Sequence, residues 1–138
     1  MIRTMTAAGA AACLAACLAA PALSQDADPG RTEYMIACAG CHGESAKGDG
    51  PIAGLLEIHT PDLTRMAERA GGTFPYEQAV LVVDGRNEIR AHGSDMPVWG
   101  DRYFVSAMAS DGLDPAQGDM MARGRILALV SYLSAIQQ

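Results

Sequence analysis

The chain has 138 residues, a length that suits one domain, and its 16 acidic and 10 basic side chains give a formal net charge of −6. This acidity argues against nucleic acid or an anionic membrane surface as a partner, and it allows docking to a basic face of another protein. With only two Phe and one Trp, the chain can build only a modest core by itself.

Residues 1–24 have the composition of an export leader. Arg3 is the only charged residue in this stretch, the run after it is mostly alanine and leucine, and Ala22-Leu23-Ser24 forms a small-residue cleavage site. We therefore expect a secretory signal peptide over 1–24 and a mature domain over 25–138. Loss of Arg3 makes that domain one charge unit more acidic than the whole chain.

Two alternatives for the leader stay open. The first is an uncleaved membrane anchor, although an alanine-dominated run is weakly hydrophobic for a membrane span. The second is lipoprotein processing, because Leu14-Ala15-Ala16-Cys17 resembles a bacterial lipobox. In that case cleavage before Cys17 would leave a lipidated cysteine that tethers the domain to a membrane.

The remaining chain shows short helical patterns joined by glycine-rich loops, and no internal linker suggests a second domain. Helices are predicted, in chain order, over Arg31–Cys38, Pro61–Ala70, Pro75–Asp84, Arg102–Ala109 and Asp114–Ile136. The β-branched run at 80–83 could also be a buried strand, but nothing nearby offers a pairing partner. Gly85 to Gly100 has no helical period and is predicted to be a loop.

The last of these helices carries the strongest signals. Asp114 with Pro115 and Gln117 forms an N-cap, a first-turn proline and a capping-box partner. An apolar stripe at helical spacing follows at Ile126, Leu129, Val130, Leu133 and Ile136. Gly118 and Gly124 are expected to weaken the earlier turns, so the firmest part is predicted over Gly124–Ile136.

Cys38-Ala39-Gly40-Cys41-His42 is a C-x-x-C-H segment, the attachment signature of c-type haem. Two thiols at this spacing can form thioethers with the two haem vinyl groups when the segment closes a helical turn. The imidazole of His42, directly after the second thiol, can then take one axial position on the iron.

Other uses of a C-x-x-C pair have less support. Once the leader is removed, Cys38 and Cys41 are the only thiols, so a short disulfide or a redox-active pair is conceivable. A structural zinc site would need four ligands, and no second C-x-x-C or H-x-x-x-H is present. A thioredoxin-like site would need βαβ patterning, which is absent.

The second axial position has several candidates in the sequence: Met35, Met66, Met96, Met108, Met120, Met121, His59 and His92. Most of these methionines lie in helical patterns, where a methionine is more often a core residue. Met96 differs, because it lies in the predicted loop between Gly93 and Pro97, where the backbone can bring a thioether to a flat ring. His92 is its competitor, through bis-histidine ligation.

With these features the chain resembles the class I (monohaem) cytochromes c of bacterial type. Met96-Pro97-Val98-Trp99-Gly100 is similar to their M-P-x-W-G distal segment, and Gly43–Pro51 to the loop after their haem motif. Gly30, Tyr34 and Tyr132 resemble the positions at which the family's first and last helices cross. The resemblance covers about Gly30 to Ala135, and it implies an all-α cytochrome c fold wrapped around one covalently attached haem.

The resemblance also implies roles for single residues. Cys38 and Cys41 would be the thioether attachments, His42 the proximal iron ligand and Met96 the distal one. Pro51 matches a proline whose carbonyl accepts a hydrogen bond from the proximal imidazole, although it could equally be a plain turn proline. Charges or N–H groups near the haem propionates could come from Arg65, Arg86, Arg90 and Trp99, each of which could instead lie on the surface or in the core.

A filled His/Met coordination sphere implies a one-electron carrier and not an enzyme. The expected leader places this carrier in the periplasm. Its partners would be redox proteins that donate and accept the electron, and we expect a monomer with no transmembrane span after processing. A free shuttle and a subunit of a respiratory or dehydrogenase chain both fit. Two further alternatives are a haem enzyme or gas-binding sensor with a displaceable distal ligand, and an exported thiol–disulfide protein.

Overall fold

The computed structural model describes residues 28–86 and 96–138. Within these ranges the chain forms α-helices and two short 3-10 helices, Ala53–Leu55 and Leu63–Arg65, with no strand. The α-helices are α1 Pro29–Ala37, α2 Ala39–His42, α3 Met66–Arg69, α4 Tyr76–Asp84, α5 Trp99–Ser110 and α6 Pro115–Ala135. The predicted all-α fold is confirmed, and the run at 80–83 is helical.

The leader, with Cys17 and both alternatives for its processing, lies outside the described residues, as do His92, Gly93 and Arg90. None of the described helices is long and apolar enough to cross a membrane.

The long helix α6 begins where its sequence signals predict. The Asp114 carboxylate accepts hydrogen bonds from the N–H groups of Ala116 and Gln117, and the Gln117 side chain accepts one from the Asp114 N–H, which completes the capping box. The helix is continuous through Gly118 and Gly124, in the turns that these glycines were expected to weaken. Gly118 is buried, and a Cβ there would lie 3.1 Å from Met108 Cγ, so this glycine permits the close approach of α5.

The first and last helices cross, as the resemblance implies. Gly30 lies against α6 so closely that a Cβ on it would collide with the Ala128 carbonyl and lie 2.8 Å from Tyr132 Cβ. The rings of Tyr34 and Tyr132 are 5.3 Å apart. The Arg125 guanidinium binds the Glu33 carboxylate through two hydrogen bonds of 2.7 and 2.9 Å across the same crossing.

The core forms where α6 packs against α1, α4 and α5. Its largest fully buried side chains are Tyr34, Ile126, Leu129 and Val130. Helix α5 starts at Trp99, three residues earlier than predicted, so it follows Met96 almost directly. The crossing of α1 and α6 therefore fixes the position of the end of α1. Helix α5 fixes the position of the residues just after Met96.

Candidate functional site

A cavity of about 270 Å³ opens beside α2. Cys38, Cys41, His42 and Met96 all line it, so the structure brings the four predicted site residues together. Most of the other lining residues are apolar, among them Ile36, Ala37, Ile52, Leu56, Ile58, Pro61 and Pro97. Such a cavity suits a flat, mainly apolar group held at a few polar points.

The attachment segment takes its shape from the local backbone. Cys38 ends α1 through its N–H bond to the Tyr34 carbonyl (2.8 Å), and its own carbonyl accepts the N–H of His42 at 2.8 Å. This single turn of helix places Cys38 and Cys41 three residues apart on one face. Both are free thiols.

The chemical state of Cys38 weighs against thiol–disulfide exchange. Burial and, to a smaller extent, the nearby Cys41 and Glu33 together raise the pKa of its thiol to about 12. Exchange proceeds through the thiolate, and catalytic cysteines have lowered pKa values. The alternative of a redox-active pair therefore loses support.

His42 is buried, and its Nδ1 lies 3.2 Å from the Pro61 carbonyl oxygen. A carbonyl can only accept, so Nδ1 carries the proton, and Nε2 is the ring nitrogen with the lone pair. The proline that accepts this hydrogen bond is thus Pro61, and the expectation for Pro51 is wrong.

The backbone explains why Pro51 lies elsewhere. Its neighbours Gly50 and Ile52 donate their N–H groups to the carbonyls of Cys41 and Gly40, each at 3.1 Å, and Pro51 itself is exposed. Further along the loop, the Leu63 N–H bonds the Ala46 carbonyl at 2.7 Å. That hydrogen bond holds Leu63, two residues after Pro61, beside the loop that follows α2.

Gly43 joins the attachment segment to the first helix. Its carbonyl accepts a 2.6 Å hydrogen bond from the buried hydroxyl of Tyr34. Its φ of +80° suits glycine, and a Cβ there would collide with the Asp49 carboxylate. The resemblance to a family implies only a helix-crossing role for Tyr34. Its hydrogen bond to the attachment segment is a second role that the sequence does not indicate.

On the other side of the cavity, Met96 and Pro97 lead into α5. Trp99 lines the cavity, and the centroid of its ring lies 5.7 Å from that of the Tyr103 ring. The guanidinium of the exposed Arg102 lies 5.4 Å from the centroid of the Trp99 ring. Trp99 therefore forms part of the cavity wall and of the adjoining core.

The arginines proposed for the propionates bind carboxylates of the protein. Arg65 pairs with Glu68, and Arg86 pairs with Asp84 and Asp119. Neither arginine is among the residues that line the cavity. The structure thus gives Arg65 and Arg86 other partners than the propionates.

Most of the other candidate axial ligands lie away from the cavity. Met35 and Met66 pack against the core, whereas Met120 and Met121 are exposed on α6. His59 is exposed and lies at the cavity rim. Met96, which the sequence places in a loop, lies outside a helix and lines the cavity.

Thr60 was missed by sequence reasoning. It is 6% exposed and lines the cavity, and its Oγ1 has no hydrogen-bond partner among the described residues. Buried hydroxyls normally have a partner, which a bound cofactor with polar substituents could supply. No short-range pattern in the sequence distinguishes Thr60 from a turn residue.

These residues fit haem better than a bare metal ion. The described part of the chain holds no group of three or more His, Cys, Asp or Glu side chains placed to bind a metal ion. Two thiols one helical turn apart, an imidazole, a thioether and apolar walls fit a covalently attached haem. Fold and donor set define an all-α protein of the c-type haem class.

The comparison with protein families agrees. The family model described as Cytochrome c matches residues 27–135, which is most of the chain. The chain belongs to the cytochrome c family, whose members bind covalently attached haem c with iron and use it in electron transfer. No curated protein and no solved structure matches the chain.

Proposed function

We propose that the chain is a periplasmic one-electron carrier with a single low-spin haem c ligated by His42 and Met96. The observation that carries this proposal is that Cys38, Cys41, His42 and Met96 line one apolar cavity. His42 and Met96 come from segments that the chain folds separately, so their meeting is a tertiary feature and not a consequence of the motif.

Each of these residues has a defined task in the proposal. Cys38 and Cys41 hold the cofactor by two thioether bonds, and His42 offers Nε2 to the iron. The Pro61 carbonyl accepts a hydrogen bond from the Nδ1–H of His42. This bond keeps the imidazole in the required tautomer and makes Nε2 a better ligand to the iron. Met96 supplies a thioether sulfur at the second axial position.

The bound haem supplies reversible one-electron chemistry at iron. His42 and Met96 would hold the iron in both oxidation states, so little rearrangement of the chain would accompany electron gain or loss, and the soft thioether would raise the reduction potential. The apolar walls exclude water from the ring.

Met96 also separates a carrier from an enzyme. A thioether in the second axial position leaves no site for oxygen, peroxide or carbon monoxide, so the protein acts by passing electrons between redox proteins. The acidic charge of the chain suits donors or acceptors with basic faces. Whether the carrier is a free shuttle or a subunit of a larger chain depends on those partners.

Export is the remaining part of the proposal. Residues 1–24 direct the chain to the periplasm, and cleavage after Ser24 leaves a domain that starts at Gln25. Cleavage before Cys17 would instead leave a lipid-tethered form.

Intact mass and absorption spectra of the protein purified from the exported fraction test this function. We expect the mass of the chain from Gln25 plus one haem, retained after denaturation. We also expect a ferric absorption band characteristic of Met–Fe ligation, and no carbon monoxide binding by the ferrous protein. A mass without haem would overturn the cytochrome function, whereas carbon monoxide binding at an open sixth site would favour a gas sensor or a haem enzyme.

A further inference from the structure

Arg86 closes a network of charges at the end of α4. Its Nε and Nη2 donate to the two oxygens of the Asp84 carboxylate at 2.6 and 2.9 Å, and its Nη1 donates to Asp119 on α6 at 2.8 Å. All three guanidinium nitrogens are therefore engaged, in a bidentate pair and a single bond. We name Asp84, Arg86 and Asp119 the stem clamp.

The stem clamp lies beside the described residues that flank Met96 in the chain, residues 85–86 and 97–100, which we call the two stems. Arg86 is the last described residue before Met96, and α5 begins three residues after Met96. Gly100 lies in the first turn of α5, and a Cβ there would collide with Asp84 Oδ1 and Arg86 Nε. The clamp thus packs directly against the backbone at the start of α5.

The two stems also touch through their backbones. Gly85 ends α4 with a φ of +67°, and a Cβ on it would lie 3.4 Å from Val98 Cα. Since Val98 is two residues from Met96, the position of Met96 relative to the core depends on the packing of these stems. Side chains from α4, the loop after it and α6 maintain that packing.

Partial burial strengthens the electrostatic interactions within the stem clamp. The side chains of Asp84 and Arg86 are 16% and 23% exposed, so solvent and salt screen them less than an exposed pair such as Arg65 and Glu68, at 57% and 55%. The paired guanidinium lowers the pKa of Asp84, and the two carboxylates raise the pKa of Arg86, so both charges persist near neutral pH.

We propose that the stem clamp is a positioning device that holds Met96 in the sixth coordination position and so limits the access of external ligands to the iron. The proposal rests on the function proposed above, in which Met96 is the distal ligand. Asp84, Arg86 and Asp119 act through the backbone at Gly85, Val98 and Gly100 and need no contact with the cofactor.

The effect can be measured as a competition. An added ligand such as imidazole binds only molecules in which Met96 is detached, so its apparent affinity is the intrinsic affinity multiplied by the detached fraction. Loosening the stems raises that fraction. A tenfold rise corresponds to a loss of about 1.4 kcal/mol in the stability of the Met96-bound state.

The test is an imidazole titration of the ferric holoprotein for the wild type, Arg86→Gln and Gly100→Ala. The first variant removes the charge, and the second leaves every charge in place but forces the clamp away from α5. We expect each to bind imidazole about tenfold more tightly than the wild type. Arg86→Lys, which retains the charge but loses the bidentate geometry, should lie between wild type and Arg86→Gln.

Glu33→Gln is the matched control. It breaks the bidentate pair of Arg125 and Glu33, whose side chains are 26% and 16% exposed, but this pair joins α1 to α6 and not the two stems. It should lower the free energy of unfolding as Arg86→Gln does, and it should leave imidazole affinity unchanged. Equal shifts in imidazole affinity for Glu33→Gln and Arg86→Gln would overturn the positioning role, since general destabilisation would then explain both.

A double variant separates the failure of this inference from the failure of the proposed function. With Met96→Ala as background, Arg86→Gln should no longer change imidazole affinity, because no thioether is left to compete. If Met96→Ala alone leaves the wild-type spectrum unaltered, Met96 is not the ligand and the proposed function fails. If Met96→Ala abolishes the Met–Fe band but Arg86→Gln and Gly100→Ala bind imidazole like the wild type, only the clamp is wrong.

Discussion

The two sides of the cavity are held by different kinds of interaction. On the attachment side, backbone hydrogen bonds tie α2 to the loop after it, for example from the Gly48 N–H to the His42 carbonyl at 2.8 Å. On the methionine side, beside the start of α5, the Asp84 and Arg86 side chains form an ion pair that also binds Asp119. The first arrangement depends on backbone hydrogen bonds, and the second on a local ion pair joined to a carboxylate 33 residues further along the chain.

This difference has a functional meaning. A backbone network of short sequence span can form early and locally during folding. If Met96 binds the iron as proposed above, the side chain network beside it would give that bond a supporting interaction of finite strength, which substitutions, pH and salt can change.

The largest effect is expected from Cys41→Ala, which removes one attachment point. The variant can form at most one thioether, so we expect a severe loss of holoprotein, measured as haem retained after denaturation and as intact mass. Cys17→Ala is the control, because that thiol lies in the expected leader and should not alter haem content. A content of covalently bound haem equal to that of the wild type in Cys41→Ala would contradict the attachment role.

Met96→Ala addresses the opposite side and should leave covalent haem content unchanged. It should abolish the ferric Met–Fe band, lower the reduction potential and increase imidazole affinity at least about tenfold, since the sixth position no longer has a competing thioether. Redox titration and absorption spectra measure these changes. Met121→Ala is the control, because Met121 is 43% exposed on α6; an unchanged potential in Met96→Ala would refute the distal assignment.

Sequence reasoning succeeded where the signal was local. The capping box at Asp114 and Gln117, which lie three residues apart, marked the start of α6. The same reasoning gave the C-x-x-C-H segment its helical turn. The crossing of α1 with α6 at Gly30 and Tyr34 came instead from the resemblance to a family, since its two sides are remote in the chain.

It failed where the partner is remote in the chain. The choice between Pro51 and Pro61 depends on the path of the loop, which the hydrogen bond from Leu63 to Ala46 determines. Arg86 was one of several candidates for a propionate, with a surface position as the alternative, but it binds Asp84 and, 33 residues further along, Asp119. No pattern within a short window of sequence contains that information.

Tyr34→Phe tests the strength of the attachment side without a change in any proposed ligand. It removes the 2.6 Å hydrogen bond to the Gly43 carbonyl and leaves that buried acceptor without this donor, so the free energy of unfolding should fall by about 1–3 kcal/mol. Urea unfolding of the holoprotein measures the change.

Tyr76→Phe provides the comparison for Tyr34→Phe. The Tyr76 hydroxyl bonds the Ser131 hydroxyl at 2.9 Å in a more exposed position, so its loss should cost less than about 1 kcal/mol. Equal losses for the two variants would mean that the buried bond to Gly43 contributes nothing special to the attachment side.

The smallest effect, and the one that contrasts the two sides most directly, is the pH dependence of these stabilities. Arg86 lowers the pKa of Asp84 below its ordinary value of 3.8, so the folded protein binds this proton less readily than the unfolded chain. The stability due to the Asp84 carboxylate is therefore complete above about pH 5 and is lost as the pH falls below the ordinary value.

The measurement is the difference in unfolding free energy between the wild type and Asp84→Asn at each pH from 7 to 3, so that changes common to both proteins cancel. This difference should be constant down to about pH 5 and then shrink. The corresponding difference for Tyr34→Phe should stay constant throughout, because burial raises the pKa of Tyr34 and its hydroxyl remains protonated. A constant difference for Asp84→Asn would show that the paired charge does not stabilise the stems, and the contrast between a backbone-held and a charge-held side would fail.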